Sequence, residues 1–320
     1  MEGEMPSSSV QMFTEPDEYA AALQQGRVEL MVAQRGVFTA KLCTVNLHHL
    51  WMQRLEEDLA RTSHVDASGG RGFIAFRTQP GPIVIRNGVE LSVTSIARLH
   101  LAQSYYQHTS GPTSHAGMSL PLDEMGALGA AVAGCDLTPP ADDLTVTPSP
   151  DAMGKLQRLC AAAGELAEDA PAVLAHPEAA RGFEQALIEA MINCLGGGEV
   201  EEDRAAARQH AAIMRRFHRA IEQYSDQPLY VPELCRQIGA SARTLRVCCQ
   251  EHLGMGAKHY LLLRRMHLVR RALSESTPAD MTVTEIATRY GFWQFGRLAV
   301  EYKALFGETP SATLHRPPLH

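Results

Sequence analysis

The chain has 320 residues, of which 45% are hydrophobic and 20% charged, an ordinary globular composition with enough length for about two domains. No apolar run approaches the ~18 residues needed to cross a bilayer, so we expect no membrane segment. The formal net charge is −7, and a negative charge disfavours nucleic-acid binding by the chain as a whole. Any nucleic-acid binding would therefore be confined to one part of the chain.

The amino terminus has neither the basic region nor the apolar core of a signal peptide. Seven cysteines are scattered without Cys-x-x-Cys spacing, which predicts buried thiols in a reducing compartment and not a disulfide framework or a zinc site. We therefore expect a cytoplasmic protein. Residues 1–10, with Pro6 and the serines that follow it, are expected to form a disordered lead.

Short β-rich runs separated by turn signals fill the region from residue 28 to about residue 100. Between two of them, Asn87-Gly88 is typical of a type I′ hairpin turn. The runs are 28–32, 37–42, 72–76, 82–85 and 89–93. Many short strands at close spacing predict a small barrel or sandwich, which we assign to residues 11–150.

Helical composition follows a proline-rich loop and extends over residues 151–225. The predicted helices are 151–170, 182–195 and 201–224. The last of them has an apolar stripe at helical spacing, formed by Ile213, Phe217, Ile221 and Tyr224. Packing against the preceding domain explains this stripe as well as dimerisation does, and the pattern leaves both open.

Residues 231–246 follow the pattern of a helix-turn-helix. Cys235 is small where two helices must cross, and Gly239 stands where the backbone needs a positive φ to turn. Ser241 is placed to cap the second helix, near a position that suits a DNA phosphate. The exposed face of that helix is predicted to present Arg243, Thr244 and Arg246.

A long helix is predicted over residues 257–273, where apolar residues recur at helical spacing. Such a helix spans roughly 25 Å, enough to hold two recognition helices near the ~34 Å repeat of the major groove. Its arginines are 264, 265, 270 and 271. They suggest a phosphate-binding patch, and the sequence leaves open whether the whole cluster contacts phosphates.

A second helix-turn-helix pattern begins at residue 283, with a capping box formed by Thr282 and Glu285. In its recognition helix only Gln294 and Arg297 are plausible readers of base edges. The remaining positions are apolar or small, among them Trp293 and Gly296, and a glycine costs a helix about 1 kcal/mol relative to alanine. We therefore expect this hairpin to contact DNA more through apolar groups or backbone positioning than through base edges.

Two such hairpins joined by one helix predict a protein that lays two helices into DNA grooves. Residues 218–316 resemble the AraC/XylS family of bacterial transcription regulators. The residues that carry this resemblance are Glu285-Ile286-Ala287, Gly291-Phe292, Tyr302-Lys303, Phe306-Gly307-Glu308-Thr309-Pro310 and, upstream, Leu245, Gly254, Tyr260-Leu261, Arg264-Arg265-Met266 and Leu273.

The resemblance implies an α+β chain in which a β-rich, cupin-like jelly-roll domain and linker helices precede an all-α DNA-binding domain at 226–320. In the first hairpin it places base-reading side chains at positions 243, 246 and 247, where Val247 offers only a thymine methyl contact. It also implies that Arg265 braces the domain internally. The expected DNA-contacting residues are Ser241, Arg243, Thr244, Arg246, Val247, Trp293, Gln294, Gly296, Arg297 and Lys303.

The charge is divided in a way that fits this organisation. Residues 221–320 contain 12 Lys and Arg against 9 Asp and Glu, a net charge of +3, whereas the remaining 220 residues contain 17 against 27, a net charge of −10. A mildly basic half beside an acidic half is typical of a protein whose phosphate contacts are confined to one domain.

The main alternative is a cupin-like enzyme or metal-binding protein with a helical accessory domain. Its candidate ligands would be His48, His49, His100, His108 and His115, but no His-x-His motif with a spaced glutamate and a later histidine is present. The glycines at 69–72 fit a turn better than a phosphate loop, and no Gly-x-Ser-x-Gly nucleophile motif occurs. We therefore expect no enzyme activity, no cofactor and no metal.

The sequence thus favours a transcription regulator, expected to be an activator, controlled by a small-molecule effector in its amino-terminal domain. Its expected partners are double-stranded promoter or operator DNA, the unknown effector, a second copy of the chain and RNA polymerase.

Overall fold

The structure, a computed structural model, describes residues 5–24, 26–67, 70–99, 104–134, 137–140, 144–201, 205–224 and 227–316. It is an α+β chain with an antiparallel β-rich amino-terminal domain and a helical carboxyl-terminal domain, as predicted. His100, Gly69, residues 1–4 of the predicted disordered lead and most of the loop at 139–143 lie outside the described residues. No helix in the described ranges is long and apolar enough to span a membrane.

Two antiparallel sheets form the amino-terminal domain. The strands are β1 Ser7–Phe13, β2 Gly26–Val32, β3 Ala40–Asn46, β4 Trp51–Glu57, β5 Arg61–Ala67, β6 Arg71–Arg77, β7 Val84–Arg86, β8 Val89–Glu90, β9 Ile96–Leu99, β10 Tyr105–Thr109, β11 Thr113–Pro121, β12 Leu144–Thr147 and β13 Glu199–Glu201. The larger sheet has the order β1-β3-β4-β11-β6-β9-β12-β13 and the smaller one β2-β5-β10-β7-β8. The turn between β7 and β8 has positive φ at Asn87 and Gly88, which confirms the predicted hairpin.

The two sheets share an interior, because apolar side chains of both pack in common clusters. Alternation along each strand sends every second side chain to this interior and the others outward. On β4, for example, Leu55 packs inward with the smaller sheet, whereas Met52 packs outward in a different cluster. The same alternation gives each sheet an outer face, and each outer face is covered by helices.

The outer face of the larger sheet is covered by the helices that follow it in the chain. The helices of this half are α1 Pro16–Ala22, α2 Leu122–Leu128, a π-helical turn Gly129–Ala133, α3 Pro150–Asp169, α4 Pro171–Ala175 and α5 Pro177–Gly196. Residues such as Leu156 and Leu187 are fully buried against the sheet. The helices predicted at 151–170 and 182–195 are therefore present, the second with an additional amino-terminal turn.

The carboxyl-terminal domain contains α6 Ala205–Gln223, α7 Val231–Ile238, α8 Ala242–Leu253, α9 Ala257–Ser274, α10 Val283–Arg289, α11 Phe295–Phe306 and α12 Pro310–Leu314. The long helix α9 serves two separate cores. Near its start, Tyr260 and Leu261 pack with α6, α7 and α8, whereas further along Val269 and Leu273 pack with α10, α11 and α12. One rigid helix therefore fixes both hairpins, as the sequence predicts.

Two boundaries differ from the sequence-based assignment. The lead at 1–10 was expected to be disordered, but strand β1 starts at Ser7 and pairs with β3 over its full length. Within the helical region 151–225, β13 pairs with β12 and so extends the larger sheet beyond residue 150. Both differences arise from long-range strand pairing, which local composition does not reveal.

The apolar stripe of α6 is buried inside the chain. Ile213, Phe217 and Ile221 are at most 4% exposed and pack with α7, α8 and α9. This resolves the alternatives left open by the sequence in favour of internal packing, although the partner is the DNA-binding half and not the β-rich domain alone. Helix α6 therefore belongs to the carboxyl-terminal domain, and this stripe does not provide a dimer surface.

Candidate nucleic-acid interface

The first hairpin has the geometry predicted for a helix-turn-helix. Gly239 ends α7 in the left-handed region, with a φ of 64°. The predicted hairpin core is present, since Leu234, Ile238, Leu245 and Cys248 are at most 2% exposed. This small core fixes the angle between α7 and α8 and so determines which face of α8 points outward.

Ser241 caps α8 as expected. Its Oγ atom accepts a hydrogen bond of 3.0 Å from the Thr244 backbone N–H, and the two hydroxyl groups lie 2.8 Å apart. Ser241 is exposed, so the start of the helix, where N–H groups and the helix dipole favour an anion, is open to solvent. This end of α8 is suited to approach a DNA phosphate.

One face of α8 carries exposed side chains that no other part of the chain engages. Arg243, Arg246 and Val247 lie at i, i+3 and i+4, a spacing that places them on the same side of a helix. Over the described ranges neither arginine forms a hydrogen bond or an ion pair, and Val247 is 37% exposed. The face is therefore free to contact the edges of bases.

The opposite end of α8 docks on the amino-terminal domain. The Leu253 carbonyl, at the end of the helix, accepts a 3.3 Å hydrogen bond from the Thr62 hydroxyl of β5. A side chain at Gly254 would meet the His108 ring of β10, so the two backbones approach closely there. Docking thus uses the carboxyl-terminal end of α8 and leaves its amino-terminal face uncovered.

The second hairpin begins with the predicted capping box. The Thr282 hydroxyl accepts from the Glu285 N–H at 3.2 Å, and the Glu285 carboxylate accepts from the Thr282 N–H at 2.8 Å. Gly291, with a φ of 76°, makes the turn. Ile286, Ala287, Leu298 and Tyr302 are buried together against α9, as the sequence predicts.

The outward face of α11 is mainly apolar. Val300 of α11 is 70% exposed and Phe295 40%, and Trp293, two residues before the helix begins, is 77% exposed, which is unusual for large apolar side chains so close together. Arg297 is exposed, but its Nε atom donates to the Glu301 carboxylate at 2.7 Å. The other predicted contact residues on this hairpin, Gln294, Gly296 and Lys303, are also exposed. The two recognition helices therefore differ in chemistry.

Arg264, at 9% exposed, is an internal brace, so the predicted phosphate patch of all four α9 arginines is wrong. Arg264 donates to the backbone carbonyls of Ile221, Tyr224 and Gln227. Arg265 lies over the rings of Phe292 and Tyr230, at 5.1 and 5.8 Å, as the resemblance implies.

The last two arginines of α9 pair with acidic residues near the chain start. Arg270 contacts Glu15 at 2.5 Å, and Arg271 contacts Asp17 at 3.4 Å. Glu15 also pairs with Arg316 at 2.8 Å. The two ion pairs of Glu15 line one side of a cleft of about 420 Å³ between α1 and α11, whereas Arg271 and Asp17 lie outside its lining.

The interior of the β-rich domain contains an unusual number of buried polar side chains. Glu57 and Arg61 form an ion pair of 2.9 Å, and the Tyr19 hydroxyl donates to Glu57 at 2.9 Å. Arg77 and Arg86 are each 5% exposed, and no carboxylate pairs with either in the described part of the chain. Two guanidinium nitrogens of each have no hydrogen-bond partner there.

The pKa of His115 reflects the charge of this interior. It lies opposite Arg77 in the pairing of β11 and β6 and is 5% exposed. Burial, followed by the nearby positive charges of Arg61, Arg86 and Arg77, lowers the pKa of His115 to about 4 despite the opposing effect of Glu57. The interior therefore carries an excess of positive charge while His115 is neutral.

The four histidines considered as metal ligands that the structure describes do not converge. His48 contacts the Pro177 carbonyl, His49 pairs with Glu124, and His115 lies in the barrel interior. His108 points outward to Gly254.

A group of residues not predicted from the sequence does converge, namely His64, Asp66 and His218. Its signals were His-x-Asp on a strand and, with Glu222, His-x-x-x-Glu on a helix, spacings that put both side chains on one face.

Comparison with known proteins identifies relatives of the helical domain. Residues 234–316 match the family described as a helix-turn-helix domain. Over 98 residues the chain is 42% identical to the probable thc operon regulatory protein of Rhodococcus erythropolis. The aligned residues make up 31% of this chain and 30% of that protein. Over 96 residues it is 35% identical to XylDLEGF operon transcriptional activator 3 of Pseudomonas putida, covering 30% of this chain and 29% of that protein.

A solved structure is similar over a comparable share of the chain. It is the crystal structure of a probable AraC family transcriptional regulator from Rhodopseudomonas palustris CGA009, 30% identical, with a TM-score of 0.30, covering 33% of this chain and 98% of that one. The chain spans about 30% of the length of the two curated relatives.

Proposed function

We propose, from the premise that the chain belongs to the AraC/XylS family through its carboxyl-terminal region, that it is a sequence-specific DNA-binding transcription regulator. One observation carries the proposal: two hairpins fixed on the shared helix α9 each present an uncovered recognition helix. Helix α8 offers two unpaired arginines, which suit the acceptor pair of guanine in the major groove. Helix α11 offers apolar side chains, which suit thymine methyl groups.

Selection from a random double-stranded DNA library tests this proposal. The purified full chain should enrich one short sequence, with a dissociation constant of about 10⁻⁸ to 10⁻¹¹ M at physiological salt and at least about 10³-fold weaker binding to scrambled DNA. Equal affinity for the selected and scrambled sequences at every salt concentration would leave only non-specific phosphate binding and contradict the proposal.

We further propose that a small anion, such as a carboxylate, is the effector and binds inside the β-rich domain. Arg77 and Arg86 support this, because each buried guanidinium has two nitrogens without a hydrogen bond and no carboxylate beside it in the described part of the chain, although Arg86 also donates to Gln107 at 3.0 Å and lies over the Tyr105 ring; an anion would supply the missing charge and acceptors. The cavity beside Gln53 and Phe73 holds only about 10 Å³ and is lined by neither arginine, so the proposal requires the side chains around Arg77 and Arg86 to move apart to admit a ligand. Such movement next to the docked helices would transmit binding to the DNA-binding half.

Thermal unfolding with acetate, succinate and inorganic phosphate tests the effector class, with neutral acetamide as the control. At least one anion should raise the Tm of the wild type, and acetamide should not. In Arg77→Met and Arg86→Met the response should disappear. The ligand-free Tm of Arg77→Met should stay equal or rise, because a costly buried charge is removed, whereas Arg86→Met also removes the donor to Gln107 and should lose some stability. An anion response that survives both substitutions would place the effector elsewhere.

The remaining features of the proposal rest on the relatives. Two of these relatives are named as operon regulators, and one of the two is named an activator. They support the proposal that this chain is an activator that works with RNA polymerase on DNA in the cytoplasm. We also propose a homodimer held by residues 1–225, through a surface other than the buried stripe of α6. Sedimentation at micromolar concentration tests it, and a monomer both with and without DNA would remove this part of the proposal.

A further inference from the structure

Two histidines from different domains lie face to face where the amino-terminal domain meets α6. His64 points outward from β5, and His218 lies on α6, which packs in the core of the carboxyl-terminal domain. Their rings are nearly parallel, with centroids 3.2 Å apart. They are only 3% and 4% exposed, so this contact between two polar rings is almost completely removed from water.

Both rings keep a buried nitrogen that forms no hydrogen bond in the described part of the chain, although the Glu222 carboxylate lies 3.3 Å from His218 Nε2. Within the described ranges, the Nε2 atoms of His64 and His218 have no hydrogen-bond partner. An unpaired nitrogen in such a position is costly, and two of them side by side indicate a site that something else completes.

Carboxylates stand beside these nitrogens. Asp66, two residues after His64 on the same face of β5, has an Oδ1 atom 3.9 Å from His64 Nδ1. Glu222, one turn after His218 on α6, has an Oε1 atom 3.3 Å from His218 Nε2. One ligand atom from each of His64, Asp66 and His218 lies within 4.8 Å of the others. Asp66 and Glu222 are about 40% exposed, so the group is open to solvent on one side.

We propose that His64, Asp66 and His218, with Glu222 as a fourth ligand, form a binding site for a divalent transition-metal ion of the zinc type. Two imidazole nitrogens and one or two carboxylate oxygens are ligands that Zn²⁺ accepts in a four-coordinate arrangement, whereas Mg²⁺ and Ca²⁺ prefer oxygen alone. Coordination requires the His64 ring to turn from the stacked arrangement until one of its nitrogens points at the same ion as His218 Nε2.

A hydrogen bond outside the ligand group supports this assignment. The Tyr106 hydroxyl lies 3.2 Å from His218 Nδ1 and holds that side of the ring. Histidines that bind metals generally have their second nitrogen engaged in this way, which fixes the ring and leaves Nε2 for the ion. Tyr106 is itself fixed, because it is 3% exposed and packs with Phe217 and Tyr260.

The site would tie the two domains together. Its ligands come in pairs, from β5 of the amino-terminal domain and from α6 of the DNA-binding domain, so an ion can satisfy all of them only while the domains are docked. The free energy of metal binding therefore adds to the free energy of domain docking, and the ion stabilises the arrangement in which the two domains are docked. This inference does not depend on DNA binding or on the effector class.

Calorimetric titration of Zn²⁺ into the full chain, stripped with EDTA and free of a histidine tag, tests the site. We expect one ion per chain, a raised Tm, and visible absorption of four-coordinate Co²⁺ when Co²⁺ replaces Zn²⁺. Asp66→Asn and Glu222→Gln alter partly exposed side chains and should fold. Asp66→Asn should weaken binding at least about tenfold, since even partners outside the ligand group cost that much.

His218→Asn should abolish the Co²⁺ absorption, and His259→Ala is the matched control. His259 is exposed on α9, outside the group, so its loss should leave the affinity and the spectrum unchanged. If His218→Asn does not fold, Asp66→Asn still decides the question. The proposal is overturned if the wild type binds none of Zn²⁺, Co²⁺ and Ni²⁺ at micromolar concentration, or if Asp66→Asn binds as the wild type does.

Discussion

Arg246 lies on the open face of α8, without a partner in the described part of the chain, so its guanidinium is free to pair with guanine. Arg246→Ala should cost about 1–3 kcal/mol of binding free energy at the selected DNA site and relax the base preference at one position. Titration against the selected and scrambled sequences measures both effects. Arg181→Ala, an exposed arginine on α5, serves as the control and should change neither.

If Arg246→Ala binds both DNAs as the wild type does, the first hairpin is not the reader of sequence.

Arg297 differs from Arg246, because its Nε atom is already held by Glu301. The sequence left open whether Arg297 reads a base or contacts a phosphate. We expect Arg297→Ala to weaken binding to all DNA sequences and to lower the slope of log K against log salt by roughly one unit, as loss of one phosphate contact does. Titrations at three salt concentrations distinguish the two roles, and a preference lost at one base with an unchanged slope would contradict this expectation.

At the residue scale, the sequence predicts what local rules determine. The caps at Ser241 and Thr282 and the turn glycines Gly239 and Gly291 are all present, since each depends on neighbours a few residues away. The role of Arg264 was not predictable in this way, because its carbonyl partners belong to α6 and the loop after it.

Helix α6 sets the boundary of the DNA-binding domain. Residues 218–320 contain both hairpins and the long helix between them, which predicts from the sequence that this fragment folds and binds DNA alone. In the structure it would lack Ile213, Met214 and Phe217, which are buried in the core of the first hairpin. Loss of one large buried side chain costs about 2–5 kcal/mol. We therefore predict that residues 205–320 fold and bind DNA alone and that residues 218–320 are far less stable.

Circular dichroism during thermal unfolding of both fragments tests this boundary. Equal Tm values for the two fragments would show that α6 is dispensable for this core and that the boundary at 218 was adequate.

Strands β4 and β5 show why part of the sheet was not predicted. Their inward positions carry Gln53, Glu57, Arg61 and Ser63, so the alternation of apolar and polar residues that identifies a half-buried strand is absent. The polar side chains of the interior therefore prevent recognition of these strands from the sequence. The same polar interior supports the proposal of an anion site.

At the scale of the whole molecule, the order of the elements was predictable but the docking of the domains was not. The two hairpins and the long helix follow from periodicity and turn residues close together in the chain. Docking rests on pairs far apart, such as Thr62 with Leu253 and His267 with Val32, whose residue types carry no signal by themselves.

Docking buries histidines, and the structure should therefore be sensitive to acid. Burial lowers the pKa of His252 and of His267 to about 4, against about 6.5 in an unfolded chain. Both are neutral in the folded protein, so the unfolded chain binds more protons as the pH falls below ~6.5, and stability is lost progressively toward pH 4.

Urea unfolding at pH 7.5, 6.0 and 5.0 measures this loss. A free energy of unfolding that stays constant or rises over this range would contradict the assignment of neutral buried histidines.

Hydroxyl-radical footprinting of the full chain on its selected DNA tests the central claim most directly. Two recognition helices in successive major grooves, held by one rigid α9, should protect two neighbouring segments of the sugar-phosphate backbone on one face of the DNA, centred about 10 base pairs apart. Alanine at both Arg243 and Arg246 should remove one segment, and alanine at both Trp293 and Arg297 should weaken the other. A single protected segment, or protection that all four substitutions leave unchanged, would contradict recognition by α8 and α11.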